Sequence, residues 1–378
     1  MKGKLIPADK KNFDKRERFI ILHYTVLDEK DSIETLTRGG VSAHFLIPKQ
    51  PIIDDKLRAF DYYQFIDIND RAWHAGRSDF KGRSGLNDTS IGIEIVNYGY
   101  GLVQDSGEVL FSYQVENKLK EFIDQTLQKQ DGDSYSLLIK ERLLPAFLSD
   151  RMRGLIPLPD CEAYKKKVSP DLIEKYKQLT KKWRKENDFF LELTQEKLYE
   201  LEKDKKLVWD EYTVHQIDTI ETLIKKKIVP ELTIKNKESG SEKIFYQIEP
   251  QFITGHADIA PGRKVDPGPR LWKKLAERGI GAWPDEQLVS IIEQDIKMDQ
   301  GFDYKWIQDN LSLYGYKIES TGQLDAQTKD VIRAFQMHFE PENYSGKPSI
   351  QTVSILEALI KKYYPNKELN YPRYFVKK

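Results

Sequence analysis

The sequence contains very little cysteine, since Cys161 is the only one in 378 residues. A single thiol cannot form an internal disulfide, and it excludes the paired-cysteine motifs of structural metal sites. Long apolar runs are also missing, because no stretch approaches the roughly 18 residues that a membrane-spanning helix needs. We therefore expect a protein without disulfides and without a membrane span.

An excess of charge of either sign is missing as well. Lys plus Arg and Asp plus Glu each number 60, so the formal net charge is zero. Without a global field, the chain has no general attraction for nucleic acid or for an anionic membrane surface, and we expect neither as a partner. The first residues, "MKGKLIPADKKNFDKRERF", lack the apolar core of a signal peptide, so none is expected within this sequence.

Strand and helix signals divide the chain into regions. With 378 residues, it exceeds one compact unit of usual size. Strand-like segments fill the first hundred residues and return after a stretch, about 105–208, that is rich in Lys and Glu and has helical spacing of its apolar residues. We predict an α/β (α+β) domain over residues 1–290, with a mixed central β-sheet flanked by helices and a helical insertion at about 105–208.

Five segments carry the clearest signals of the predicted domain. Strands are expected in "RFIILHYT" (18–25), "VSAHFLIP" (41–48) and "TSIGIEIVNYG" (89–99). A hairpin that turns at Asn69–Asp70 is expected in "YYQFIDINDRAWHAG" (62–76), and a helix is expected in "YTVHQIDTIETLIKKKI" (212–228).

Residues 300–378 form a second predicted unit. A first helix is expected to stop at Gly315, Asp325 caps a second helix, and a third helix covers 349–363. This small three-helix domain has apolar positions of its own and no catalytic constellation, so we expect it to be separable.

Two of the six histidines follow apolar strands at places where side chains reach the rim of a sheet. His23 ends "RFIILH", and His256 follows "QFITG". Zinc commonly takes two imidazoles and one carboxylate, which leaves a fourth position for water. Asp266, on the loop "TGHADIAPGRKVDPGP", can supply the carboxylate. The alternative is that each histidine is a hydrogen-bonded structural residue.

Five motifs occur in an order that is typical of one family: "ILHYT", "VSAHFLIP", "AWHAG", "SIGIEIVN" and "GHADIAPGRKVDPGP". Together they resemble the zinc-dependent N-acetylmuramoyl-L-alanine amidases of type 2, relatives of the peptidoglycan-recognition proteins. The resemblance covers about residues 17–104 and 209–284, and the helical block between them departs from the family pattern. The terminal "LSLYGYKIESTGQLDAQTKDVIRAFQ" looks like the three-helix peptidoglycan-binding domain that is often attached to such amidases.

The resemblance implies a role for individual residues. His23, His256 and Asp266 match the ligands of one catalytic Zn²⁺. Glu94 matches the general base, and Lys264 matches a lysine expected to stabilise the developing oxyanion.

Nearby side chains leave alternatives open. Asp258 is a rival metal ligand because it shares a face with His256 on an extended chain. Trp73 and His74 are expected to line the groove for sugar or peptide, although core packing is an alternative for Trp73 and a structural role is an alternative for His74. His44 is expected to be a groove or structural residue, and His338 has no predicted role.

The implied activity is hydrolysis of the amide between N-acetylmuramic acid and L-alanine, in peptidoglycan or in muropeptides, within the periplasm or cell envelope. The terminal domain would then raise the local concentration of the enzyme on the wall polymer. A non-catalytic peptidoglycan sensor of the same fold is the alternative. The sequence carries no signal for an oligomeric state.

Overall fold

The central sheet is built on the apolar segment that contains His23. The computed structural model describes residues 19–111, 194–232, 235–238, 241–244, 248–296 and 301–366, together with positions 114 and 178. All six residues of the first strand, Phe19–Tyr24, are buried, as expected for a strand covered on both faces of a sheet. The described strands are β1 Phe19–Tyr24, β2 Phe45–Ile47, β3 Ile52–Ile53, β4 Ala59–Phe60, β5 Tyr63–Gln64, β6 Asp79–Phe80, β7 Arg83–Ser84, β8 Ser90–Ile95, β9 Tyr100–Val103, β10 Val109–Phe111, β11 Leu207–Trp209, β12 Lys235–Glu238, β13 Ser241–Ile244 and β14 Ile253–Gly255.

Helices cover this sheet and form the C-terminal unit. Their bounds are α1 Glu29–Arg38, α2 Gln195–Lys203, α3 Val214–Thr222, α4 Val229–Leu232, α5 His256–Ile259, α6 Trp272–Ala276, α7 Glu286–Asp295, α8 Tyr304–Tyr314, α9 Ala326–Phe339 and α10 Ile350–Tyr363, with a π-helical segment, Leu223–Ile228, between α3 and α4. Short 3-10 helices occupy Leu86–Asp88 and Pro250–Phe252. In the described part of the chain, no helix combines the length and the apolar character that crossing a membrane requires.

The strand order of the central sheet is β14-β1-β8-β2-β5. The first four strands are parallel, and β5 pairs antiparallel with β2. Parallel neighbours bring the carboxyl ends of β14, β1 and β8 to one edge, which is where ligand sites form in such sheets. The predicted mixed α/β fold is confirmed.

Several predicted elements appear with altered bounds. β1 and β8 match their predicted segments closely, and α3 begins at a capping box in which Thr213 and Gln216 bond reciprocally. The predicted hairpin over 62–76 is wrong, because its first residues form β5 against β2. The Asp67 side chain accepts a hydrogen bond from the Asn69 backbone N–H and turns the chain away.

The predicted helical insertion lies mostly outside the described residues. At its two ends, the chain forms strands as well as a helix: β9 pairs antiparallel with β10 and with β11. Trp209 of β11 is buried against Tyr344 of the C-terminal unit, and the Trp209 indole N–H donates to the Tyr344 hydroxyl at 3.0 Å. The returning end of the insertion thus contacts both units.

The three predicted C-terminal helices are present, with Asp325 accepting from the Thr328 N–H at the start of α9 and Gly315 at φ 144° ending α8. Their apolar side chains join those of the central sheet in one continuous cluster. Phe80 and Tyr316 form an isolated β-bridge, and their ring centroids lie 5.5 Å apart. The helix α7, which precedes the C-terminal unit, contributes Val289 to the same cluster.

A shared core predicts cooperative unfolding of the two units. Phe335 is fully buried between Tyr316 and Phe339, so Phe335→Ala should lower the free energy of unfolding by about 3–5 kcal/mol through the cavity it leaves. Calorimetry should record one transition, shifted as a whole, whereas Lys347→Ala at an exposed position should leave it in place. Two separately resolved transitions would contradict the shared core.

Candidate metal centre

The pairing of β1 with β14 brings two histidines to the same edge of the sheet. Leu22 and Gly255 are register partners, so the residues that follow them, His23 and His256, are neighbours. The loop after α5 then returns, and the Ala257 N–H donates to the Asp266 carbonyl at 2.8 Å. That bond holds Asp266 beside the two imidazoles.

The three predicted metal ligands form one buried group. His23 Nδ1 lies 3.0 Å from His256 Nδ1 and 3.0 Å from Asp266 Oδ2, and His256 Nδ1 lies 3.1 Å from the same carboxylate oxygen. All three side chains are buried. Among the described residues, these three side chains form a group whose ligand atoms are close enough together to hold one metal ion.

A chain of hydrogen bonds behind His23 fixes the position of its proton. The Ser90 hydroxyl donates to the Leu86 carbonyl at 2.6 Å, so its oxygen accepts from His74 Nε2–H at 3.0 Å. The remaining nitrogen of His74, Nδ1, then accepts from His23 Nε2–H at 2.9 Å. The network therefore assigns a lone pair to His23 Nδ1.

The same reasoning applies to His256. Its Nε2 lies 3.1 Å from the Ala75 carbonyl oxygen, which can only accept, and 3.4 Å from Arg263 Nη2, which can only donate. The shorter contact assigns the proton to Nε2. His256 Nδ1 consequently has a lone pair that faces His23 and Asp266. The pKa of His256 is lowered to about 3, chiefly by burial and against the opposing attraction of Asp266. The ring is therefore neutral at neutral pH.

Two imidazole lone pairs and one carboxylate oxygen thus converge with no proton assigned between them. Ligand atoms about 2.0–2.1 Å from a tetrahedral zinc ion lie about 3.3 Å from each other, close to the spacing found here. Burial would raise the pKa of the Asp266 carboxyl, but that pKa lies well below its usual range, and the positive charge of Lys264 contributes to the lowering, so this carboxylate is ionised. Donor type, spacing and protonation all fit a divalent cation.

Contacts with its surroundings fix the loop that carries Asp266. The Tyr212 hydroxyl donates to the Pro267 carbonyl at 2.7 Å. The Arg263 guanidinium donates to the carbonyls of Ala75 at 3.1 Å and Arg77 at 2.6 Å. These contacts join the loop to "AWHAG" and to the segment that precedes α3, and neither Tyr212 nor Arg263 was singled out from the sequence.

Glu94 and Lys264, the two predicted catalytic residues, lie beside this group. Glu94 is the register partner of His23 on β8, and side chains of register partners stand on the same face of a sheet. Lys264 is two residues before Asp266, and its charge contributes to lowering the pKa of Asp266. Both side chains are half-buried, so they are accessible at the rim.

The predicted groove residues have different surroundings. Trp73 is 56% exposed, and the Arg71 guanidinium lies 4.4 Å from its ring centroid. His74 is buried and uses both ring nitrogens in the chain behind His23, which agrees with the structural alternative and differs from its predicted place in the groove. His44 is also structural, since it accepts from the Gly92 N–H and donates to the Asp70 carbonyl.

Asp258, the rival ligand, does not belong to the metal group. Its carboxylate accepts from the Thr254 hydroxyl, the Gly255 N–H, the Tyr316 hydroxyl and His338 Nδ1. Burial alone would raise the pKa of the Asp258 carboxyl. Its contacts outweigh this effect and lower the pKa below its usual value, with the largest lowering contribution from His338. The bonds around it engage the carboxylate away from the two metal-facing imidazoles.

A buried group of two histidines and one carboxylate, at the carboxyl ends of parallel strands and flanked by a glutamate and a lysine, is the arrangement of a metallohydrolase. Comparison with known proteins narrows this class. Residues 14–139 match the family described as N-acetylmuramoyl-L-alanine amidase, and residues 300–356 match a putative peptidoglycan binding domain.

Individual relatives match most of the chain. The N-acetylmuramoyl-L-alanine amidase AmiD of Escherichia coli (strain K12) is 28% identical over 350 residues, which cover 92% of this chain and 84% of that protein. The structure of E. coli AmiD with anhydro-N-acetylmuramic acid-L-Ala-D-gamma-Glu-L-Lys superposes with a TM-score of 0.56 at 25% identity, covering 94% of this chain and 93% of that one. AmpDh3 of Pseudomonas aeruginosa, in complex with anhydromuramic pentapeptide, has a TM-score of 0.54 at 28% identity, covering 95% and 99%.

The chain is therefore homologous to the N-acetylmuramoyl-L-alanine amidases, with an amidase domain followed by a peptidoglycan-binding domain. This confirms the family that the five sequence motifs indicated. Enzymes of this kind cleave the bond between N-acetylmuramic acid and L-alanine in peptidoglycan or muropeptides.

The hydrogen-bond chain behind His23 leads to a prediction about metal affinity. His74→Ala and Ser90→Ala should each weaken zinc binding by about 10–100-fold, because the partner that orients a ligand histidine is lost. Competition with a chromophoric chelator measures this. Ser32→Ala is the matched control, since Ser32 is equally buried and also donates to a backbone carbonyl, that of Asp28. Unchanged affinity in both site variants would contradict the assignment.

Proposed function

We propose that this chain is a zinc-dependent N-acetylmuramoyl-L-alanine amidase in which His23, His256 and Asp266 hold the metal. The observation that carries the proposal is the convergence of two imidazole lone pairs and an ionised carboxylate at 3.0–3.1 Å. Such a group is costly to bury unless a cation compensates it. A non-catalytic sensor would have no need for the glutamate and the lysine that flank the group.

Zinc held by His23, His256 and Asp266 would supply a water of lowered pKa and would polarise the substrate carbonyl. The remaining steps fall to side chains at the rim. Glu94 accepts the proton of the attacking water and returns it to the leaving amine of L-alanine. Its register pairing with His23 keeps it on the side of the sheet that carries the ligands.

Lys264 stabilises the negative charge that develops on the carbonyl oxygen. The backbone that carries this ammonium is fixed by two hydrogen bonds. The Lys264 N–H donates to the Ala260 carbonyl at 3.1 Å, and the Lys264 carbonyl accepts from the Gln195 side chain at 3.2 Å. A preorganised charge of this kind acts on the transition state more than on the bound substrate.

The substrate is proposed to be an N-acetylmuramoyl peptide, including anhydro forms like those bound by AmiD and AmpDh3. Trp73 offers an exposed indole face for sugar or peptide contact. The putative peptidoglycan binding domain supports action on the wall polymer, so we place the reaction in the cell envelope, in the periplasm.

Digestion of muropeptides, followed by mass spectrometry, tests the function. The wild-type protein with zinc should release the free stem peptide from its N-acetylmuramic acid, and a chelator should abolish the release until zinc is restored. Binding of muropeptide without cleavage would favour the sensor instead.

Variants separate the metal ligands from the proposed catalytic residues. Asp266→Ala should lose zinc, whereas Glu94→Gln and Lys264→Met should keep it and lose activity, with the loss of the general base costing about 10²–10⁴-fold. Metal analysis and turnover are measured on the same samples. Near-normal turnover in both zinc-loaded variants would refute the assigned roles, and loss of zinc from them would indicate a structural role.

A further inference from the structure

The Asp258 carboxylate joins the two units of the protein. From the metal-bearing segment it accepts the Thr254 hydroxyl at 2.8 Å and the Gly255 N–H at 2.8 Å. From the C-terminal unit it accepts the Tyr316 hydroxyl at 2.5 Å and His338 Nδ1 at 2.8 Å. Two of its four hydrogen-bond donors therefore belong to the unit that carries no metal ligand.

The bond to Gly255 is decisive for the position of a metal ligand. Gly255 caps α5, whose first residue is His256, and the Asp258 side chain satisfies the N–H at that cap. The carboxylate thereby fixes the turn from which the His256 imidazole projects. Space around this turn is small, since a Cβ on Gly255 would meet Pro267 at 2.6 Å and Trp272 at 2.9 Å.

The two donors from the C-terminal unit are themselves held in place. The His338 ring stacks on Trp272 with centroids 3.6 Å apart and on Phe339 at 3.9 Å. Tyr316 packs edge-to-face against Phe80, and both His338 and Tyr316 are buried. The donors thus reach Asp258 from fixed positions in the shared core.

Loss of these donors would leave a buried carboxylate with part of its hydrogen bonding unmet. A buried charge in that state is strongly unfavourable, so the carboxylate or the backbone around it moves. The nearest backbone is the turn at Gly255, and a small displacement there moves a metal ligand.

We propose that His338 and Tyr316 are positioning residues of the amidase site, acting through Asp258 on the turn that presents His256. The C-terminal unit then contributes to metal binding and to turnover on substrates too small to reach it, besides any affinity for the wall. This inference rests on the proposed function, and it revises the expectation of a separable domain that only raises local concentration.

The test uses the full chain with Tyr316→Phe and His338→Ala, singly and combined. By analogy with other residues that support metal ligands, zinc affinity should fall by about 10–100-fold in the double variant. With zinc saturating, kcat on a small soluble muropeptide should fall while KM stays near the wild-type value. Tyr316→Phe removes only a hydroxyl and keeps the ring against Phe80. If the double variant does not fold, the zinc affinity and kcat of Tyr316→Phe decide the test.

Gln336→Ala is the matched control on the same helix. Gln336 is fully buried, but its bonds go to Lys347, Thr352 and Gly346 within the C-terminal unit. It should reduce thermal stability and leave zinc affinity unchanged. His338→Asn should restore part of the affinity, because an amide N–H can donate where Nδ1 does.

Wild-type zinc affinity in Tyr316→Phe and in the double variant would overturn the proposal, as would an equal loss in Gln336→Ala. Failure of the proposed function is distinguishable, because it would appear as a wild-type protein that binds zinc and cleaves no muropeptide. The comparison of zinc affinities would still decide whether the C-terminal unit positions the ligand turn.

Discussion

Three electron-pair donors that face each other without an intervening proton are the constraint on which the rest of this structure depends. Each imidazole has its proton on the far nitrogen, bound to His74 in one case and to the Ala75 carbonyl in the other. The donors meet because β1 and β14 are parallel neighbours in register and because the loop after α5 is bonded back to Ala257. A divalent cation bound between these donors would offset the free-energy cost of burying them together.

Support for the site comes from layers of hydrogen bonds that extend well beyond the ligands. Ser90 and the Leu86 carbonyl fix His74, Arg263 ties the loop to "AWHAG", and Asp258 links the His256 turn to the C-terminal helices. Through Asp258, the C-terminal unit, which matches a putative peptidoglycan binding domain, contacts the turn that carries His256. Geometry at a metal site is set by such supporting groups as much as by the ligands.

Local sequence patterns were sufficient to predict some features of the fold and the site but not others. The apolar run that ends at His23, the alternation around Glu94 and the caps of the C-terminal helices follow from period and capping chemistry, and they were predicted. The hairpin over 62–76 was mispredicted because alternation alone does not show that Asp67 turns the chain. The buried role of His74 and the contact of Asp258 with His338 depend on pairings across 16 and 80 positions, which no local pattern encodes.

The most direct test of the central claim is a crystal structure of the zinc-loaded protein with anomalous data collected at the zinc edge. The account predicts one strong peak bonded to Nδ1 of His23, Nδ1 of His256 and Oδ2 of Asp266, with His74 and the Ala75 carbonyl still bonded to the far nitrogens. Ligation through Nε2 of either histidine, a carboxylate ligand from Asp258, or a peak away from this group would contradict it.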